Sequence, residues 1–354
     1  MSWFAERRIA QDAGGWPRGM AMFTKLMLSL AVVLVLALPL AILGLGVGVD
    51  GWQAPWHAWA DVGQRAIVLD IRAPRSIGAF LVGALLGLGG AVAQGLFRNP
   101  LAEPYLLGSA SGAGLSMALA LAAGPVLWHG AELASGQSLA FRFGLTAISF
   151  LGAWGGVMLT LVLARGAAHT MRLLLAGVVV GVVLGALTQW LMLWSAEAWR
   201  SMQAFLLGNT ALLGWPACVL LGCALVITLP LALAMSPVLD ALALGEDAAR
   251  SLGVPLGLAR GVLVFVLAAS TAAAVAQAGL VAFVGLVAPH LARGFSGGRY
   301  HMLLWSASLV GGVLLLLSDV LARGLLPPQE LPVGVLTAVL GGGYLLLLLH
   351  RRRA

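Results

Sequence analysis

Apolar runs of about twenty residues recur along almost the whole chain, and this recurrence constrains the fold more than any other feature. A run of that length lets an α-helix cross the hydrocarbon of a bilayer. Hydrocarbon admits only helices or closed barrels, because every backbone N–H and C=O must be paired within the protein. Ten runs can be delimited, at 24–47, 74–96, 105–127, 143–165, 172–194, 212–234, 259–278, 280–293, 302–322 and 331–350. The eighth is too short to cross fully alone. The pattern predicts an all-α, polytopic membrane protein with ten transmembrane helices in one domain over 24–350. A tail precedes it at 1–23, and a basic C-terminus follows at 351–354.

Ten spans put both termini on one side. With that side taken as the cytoplasm, 14 of the 20 Lys and Arg fall inside, and six fall outside: Arg65, Arg72, Arg75, Arg142, Arg200 and Arg323. Cytoplasmic loops show this bias. It also accounts for the net charge of +7 without nucleic acid. Trp52, Trp56, Trp59, Trp128, Trp194, Trp199 and Trp215 fall near the outer ends, where interfacial tryptophans belong. The first 25 residues are polar and show no small-residue cleavage pattern, so they read as an uncleaved cytoplasmic tail rather than a signal peptide.

The 47 glycines lie inside apolar runs, which points to close helix packing rather than disorder. Gly83–Gly87, Gly108–Gly112, Gly152–Gly156, Gly177–Gly181 and Gly181–Gly185 have the spacing that lets helix backbones approach. Cys218 and Cys223 share one span, five residues apart, and read as small core residues without a disulfide or metal. AVAQ occurs at 91–94 and at 274–277, in runs of opposite direction, a hint of inverted halves.

No Asp, Glu, Lys or Arg lies mid-span, whereas proton- and sodium-coupled carriers usually need ionisable groups at depth. Gln94, Thr188, Gln189, Gln277 and His290 are modest polar groups inside the runs, and each reads first as a helix-to-helix hydrogen bond. The six histidines show no metal-ligand spacing. No Ser/His, paired-carboxylate or HExxH arrangement sits at depth, which weighs against an intramembrane enzyme. The only lysine, Lys25, lies in no GxxxxGK[ST] motif, so the chain is not itself a P-loop ATPase.

One charged island stands out: ALALGEDAARSLGVP at 241–255. Glu246 and Arg250 place opposite charges on one helical face. Glu246 and Asp247 suit a helix start, and Gly253 and Pro255 suit its end. The predicted helix, Glu246 to Leu252, is about 10 Å long. Such a water-facing helix between two spans is a natural docking point for a separate ATPase, although a plain solvated loop has the same pattern. The turn from Phe97 to Pro104, stiffened by Pro100 and Pro104, puts Asn99 and Leu101 at the inner mouth of any path between helices. On the outer face, Arg72, Arg75 and Arg323 run against the charge bias, with Asp319 positioned to pair with Arg323. They read either as snorkelling groups or as a basic rim for an acidic extracytoplasmic partner.

Several ordered motifs strengthen these readings. They are RAPR at 72–75, FRNPLAEPYLLG at 97–108, SGAG at 111–114, LLLAG at 173–177, ALGEDAARSLGV at 243–254, GLVAFVGLVAPHLAR at 279–293, SDVLAR at 318–323 and ELPVGVLTAVLGG at 330–342. With them the chain, from about residue 60 onward, resembles the permease subunits of bacterial type II ABC importers. This FecCD- and BtuC-like family carries haem, ferric siderophores and cobalamin across the inner membrane. The first 20 residues match none of its motifs.

The resemblance implies a homodimer with the path on its axis, two ATPase subunits below that bind ATP and Mg, and a periplasmic substrate-binding protein above. No cofactor is expected in this chain. Residues 245–252 would be the coupling helix, with Gly245, Glu246, Asp247, Ala248, Ala249, Arg250, Leu252 and Gly253 at the ATPase contact. Ala248 and Ala249 would form its close-packing face, and Glu246 and Arg250 its polar edge. Arg72, Arg75 and Arg323 would receive the binding protein. Asn99, Leu101 and Thr170 would form the inner gate. Haem is slightly preferred as cargo over siderophore and cobalamin. The alternative from another class is a self-sufficient secondary transporter.

Overall fold

The computed structural model describes residues 35–48, 51–123, 139–166, 169–194 and 196–351. The expected tail at 1–23, the start of the first run, Trp128 and residues 352–354 lie outside them. Thirteen helices carry the described chain: α1 Val35–Gly46, α2 Val62–Leu96, α3 Ser109–Ala122, α4 Leu139–Leu163, α5 Thr170–Met192, α6 Ala196–Leu206, α7 Trp215–Ala234, α8 Ser236–Ala243, α9 Glu246–Ser251, α10 Leu256–Ala278, α11 Val284–Ser296, α12 Tyr300–Gly324 and α13 Val333–Arg351. A two-residue antiparallel pair joins Val47–Gly48 to Gly51–Trp52.

Each apolar run contains one helix. Six of them, within α2, α4, α5, α7, α10 and α12, are long and apolar enough to cross a membrane. Val35–Gly46, Ser109–Ala122 and Val333–Leu348 are shorter apolar stretches, and α11 has 13 residues, as the short eighth run implied. Length therefore establishes a multi-pass helical protein but not the number ten.

Helix α2 begins earlier than the sequence suggested. Asp61 caps it by accepting the Gly63 N–H at 3.1 Å, and the chain stays helical through Pro74. Proline has no N–H to offer the preceding turn, and the helix takes wider π-helical turns over Ile67–Arg72 just before it. From Ala73 to Leu96 it is almost wholly buried. It runs along α12 and is flanked by α10, α11 and α7, whereas α3 packs on α4 and α5. In their apolar windows 83% of α2 is buried but only 17% of α5, so α2 is the central post and α5 lies at the edge. The two AVAQ segments sit on α2 and α10, which pack together.

Glycine makes these contacts possible. A Cβ at Gly83 or Gly87 would strike the carbonyl oxygen of Gly311 or Ala307 on α12. Gly112 and Gly156 meet the backbones of Gly152 and Gly108 in the same reciprocal way, and Gly177 meets Leu106. In the fifth GxxxG pair the two members differ: a Cβ at Gly181 would come within 3.7 Å of the Ser111 hydroxyl on α3, whereas one at Gly185 would meet nothing in the described chain. The interior polar residues behave as cross-links. Gln94 Nε2 donates to the Leu286 carbonyl at 3.2 Å and its Oε1 accepts from Arg293 at 2.8 Å, tying α2 to α11. His290 packs edge-on to Tyr344, ring centres 5.8 Å apart. Thr188 instead bonds back to the Leu184 carbonyl of its own helix. Cys218 is buried as expected, but Cys223 faces outward, because five residues turn a helix to a different face.

Gly87→Ala therefore forces α2 and α12 apart and should lower stability by about 1–3 kcal/mol, as overpacking does. Gly155→Ala, whose added carbon meets nothing, should not. Thermal unfolding of the two variants in detergent checks this; equal melting temperatures would contradict the close-packed seam.

Candidate functional site

Two charged clusters stand at opposite ends of the buried part of α2, Ala73–Leu96, about 33 Å apart by helical rise. The first surrounds α9. Glycines bracket this helix with backbone angles that side chains resist: Gly245 has φ +117° and Gly253 φ +78°. The helix ends at Ser251, one residue short of the expected limit, with Leu252 as its cap. Its acidic first turn and its Arg250 match the helix dipole.

The faces of α9 differ from the expectation in one respect. Asp247, Arg250 and Leu252 are exposed and Ala248 is partly so, but Ala249 is completely buried. Ala249 belongs to the apolar cluster that contains Leu239, Leu242 and Leu256. It seats α9 on its own subunit and cannot be the close-packing contact for another chain. Leu244 and Leu252 flank the helix instead, 73% and 67% exposed.

Glu246 also turns inward. Its Oε1 meets Arg260 Nη2 at 2.6 Å, Arg98 Nη2 at 3.5 Å and the Thr170 hydroxyl at 3.4 Å. Its other oxygen lies 3.9 Å from Arg250, the pair that the spacing implied. Arg250 also reaches Asp247 at 3.6 Å. Arg260, at the start of α10, is buried. The spacing of charges within 241–255 pointed to Arg250; nothing local pointed to Arg260 or Arg98.

Of the expected gate residues one lies against this carboxylate, and the other two follow its partner Arg98 in the chain. Thr170 opens α5 and touches it directly. Arg98, in the left-handed region at φ +50°, immediately precedes Asn99. The Asn99 side chain accepts the Leu101 N–H at 2.9 Å, which makes a tight Asx turn. Leu101 is left 62% exposed at its tip. Further along the turn, Glu103 accepts the Phe283 N–H at 3.3 Å and Tyr105 donates to the Val281 carbonyl at 3.0 Å. Burial pushes the Glu103 carboxyl above the usual carboxylate range, and the Phe283 N–H partly offsets that.

The second cluster centres on Asp319, fully buried in α12. Its carboxylate takes Arg75 Nε at 3.0 Å, the Thr210 hydroxyl at 2.7 Å and, through its other oxygen, Arg323. Arg75 also holds Glu330 at 2.9 Å. Arg323 donates further to the Gly44 carbonyl at 2.8 Å and to Ser76 at 3.2 Å. Arg72 donates to the carbonyls of Leu45 and Gly46. Arg75 and Arg323 are thus buried and ion-paired inside the chain, not a bare rim. The i,i+4 spacing revealed Asp319–Arg323, but Arg75 lies far from Asp319 and Glu330 in sequence.

A sequence model of the FecCD transport family matches residues 26–351. The chain is 40% identical over 294 residues to the vitamin B12 import system permease protein BtuC of Salmonella typhi, covering 82% of this chain and 85% of that protein. It is 39% identical to the protein of the same name from Salmonella paratyphi A over the same shares. Among solved structures, one described as an inward-facing conformation of a metal-chelate type ABC transporter superposes with a TM-score of 0.79 at 29% identity, over 91% of this chain and 98% of that one. PsaBC from Streptococcus pneumoniae, in complex with Fab, matches with a TM-score of 0.54 at 15% identity over 78% and 90%. That last likeness concerns the fold alone.

Asp319→Ala leaves Arg323 without a carboxylate partner in a buried site, while Arg75 keeps Glu330, and should cost roughly 3–5 kcal/mol, the usual penalty for an uncompensated buried charge. Thermal unfolding in lipid nanodiscs measures it; an unshifted transition would show that the cluster does not hold this end of α2.

Proposed function

The chain belongs to the FecCD transport family, and on that footing we propose that it is the membrane-spanning permease subunit of an ATP-driven importer of a metal chelate. The observation that carries this reading is α9. It is a short charged helix on an apolar body, with one face seated on the subunit and Asp247, Arg250 and Leu252 exposed on the other. A groove on a separate ATPase subunit, which binds ATP and Mg, would receive that face together with Leu244. Two copies of this chain with ten spans each would enclose the path, two ATPases would sit below, and a substrate-binding protein would sit above. The assembly would lie in a bacterial inner membrane with both termini in the cytoplasm, as the distribution of Lys and Arg favours.

Motion of α9 would open one end of the path and close the other by rigid rocking of helices. Asn99, Leu101 and Thr170 would form the inner gate. At the far end, Glu330 is the partly exposed partner of Arg75. An acidic side chain of the binding protein could replace it, with Arg72 beside it, while Arg323 fixes Asp319 behind them. Such surface charges would set orientation and association rate more than affinity.

For the cargo, the relatives named for vitamin B12 import favour a cobalamin-class chelate, which reverses the order expected from the sequence. A secondary transporter finds no support in the charge placement, because the buried ions stand at helix ends and are paired.

In vesicles containing the permease, an ATPase subunit and the binding protein, ATP should drive uptake of labelled cyanocobalamin ahead of haem or a ferric siderophore. Preference for either of the latter would overturn the cargo assignment. The double change Arg250→Glu and Leu252→Asp should cut ATPase co-purification by about tenfold, the effect of losing roughly 1.4 kcal/mol of binding, while the permease unfolds at its usual temperature. Full co-purification would remove α9 from the interface.

A further inference from the structure

Glu246 occupies a singular position. One oxygen of its carboxylate is shared by donors from three separate segments: Arg260 at the start of α10, Arg98 in the turn after α2, and Thr170 at the start of α5. The three contacts are unequal. Arg260 is close, at 2.6 Å, and its side chain is 2% exposed, which makes a short charge-assisted bond. Arg98 at 3.5 Å and Thr170 at 3.4 Å are long contacts in a more open setting, with the Arg98 side chain 44% exposed. A carboxylate oxygen offers about two acceptor positions, so three donors compete for it. The Arg260 bond is strong and the other two are exchangeable.

We propose that Glu246 is the positioning residue that passes displacement of α9 to the gate, with Arg260 as its anchor and Arg98 and Thr170 as the contacts it switches. This rests on the reading of α9 as the ATPase contact. The Arg260 bond makes α9 and the start of α10 move together. A shift of that unit moves Oε1 relative to Arg98 and Thr170, and each belongs to a gate segment. Arg98 directly precedes Asn99, whose side chain fixes the backbone at Leu101, so displacement of Arg98 reaches the exposed tip of the turn. Arg98 holds a left-handed backbone at φ +50°, a conformation that costs a residue with a β-carbon energy and persists only where its surroundings hold it. Glu246 thus contacts no cargo and no nucleotide, yet it determines whether the gate follows α9.

The test uses the assembled permease–ATPase complex in nanodiscs. Leu101→Cys is introduced with Cys218→Ala and Cys223→Ser, and its labelling rate by a polar maleimide is followed with and without ATP. With Glu246 intact, ATP should change the rate by about fivefold or more, within the usual range for coupled sites. In Glu246→Gln the ATP-induced change should shrink to under about twofold, and cargo taken up per ATP hydrolysed should fall by about tenfold, again within that range. Glu246→Asp, which keeps the charge, should retain most of both. Normalising uptake to ATP hydrolysed separates this loss from weakened assembly. Arg98→Gln, at an exposed position where folding is not at risk, should lose part of the response. A full ATP response and full uptake per ATP in both Glu246→Gln and Arg98→Gln would overturn the relay while leaving the importer reading intact. No ATP response with Glu246 present would overturn the importer reading and the relay with it.

Discussion

A bilayer offers helices nothing for hiding carbon from carbon, since lipid is as apolar as leucine. Close backbone approach and a few polar cross-links must hold such a bundle together. The seam between α2 and α12 meets this constraint through Gly83, Gly87 and Gly311. With α2 fixed as a nearly buried post, the elements that carry charge are referred to its two ends. At one end Asp319 binds Arg75 and Arg323. At the other, Glu246 binds Arg260 and meets Arg98. Both clusters gather cations from distant segments around one carboxylate. Burial explains the difference between them. Asp319 is sealed and fully satisfied, which suits a fixed joint. Glu246 is partly open and over-subscribed, which suits a movable one.

Much of this was legible in the sequence where the signal is local. Among the described residues, apolar run length located each long helix, and Gly245, Gly253 and the charges between them located α9 to within one residue. The i,i+4 rule found Glu246–Arg250 and Asp319–Arg323. The long-range pairings were not legible. Arg75 with Glu330, and Glu246 with Arg260 and Arg98, depend on how helices stack, and no periodicity encodes that. Ala249 shows the same limit: alanine has no side-chain chemistry to say which neighbour it faces, and only the packing of α8, α9 and α10 turns it inward. The amphipathic α6 and the short α8 lie in stretches where run length is uninformative.

The proposed mechanism requires no chemistry from this chain. Asp319, Arg75, Arg323, Glu246 and Arg260 are taken up in joints, and the helices between them present Gly, Ala, Leu and Val. Such walls hold a large cargo weakly, which favours release. Affinity and energy would then come from separate proteins at the two ends, and the permease would convert a push on α9 into a change of access.

The most direct measurement is transport by the purified permease alone. Reconstituted in vesicles with cyanocobalamin outside, and with neither ATPase subunit nor nucleotide, it should show no accumulation against a gradient under any imposed proton or sodium gradient. Uphill accumulation by the permease alone would contradict the account at its root.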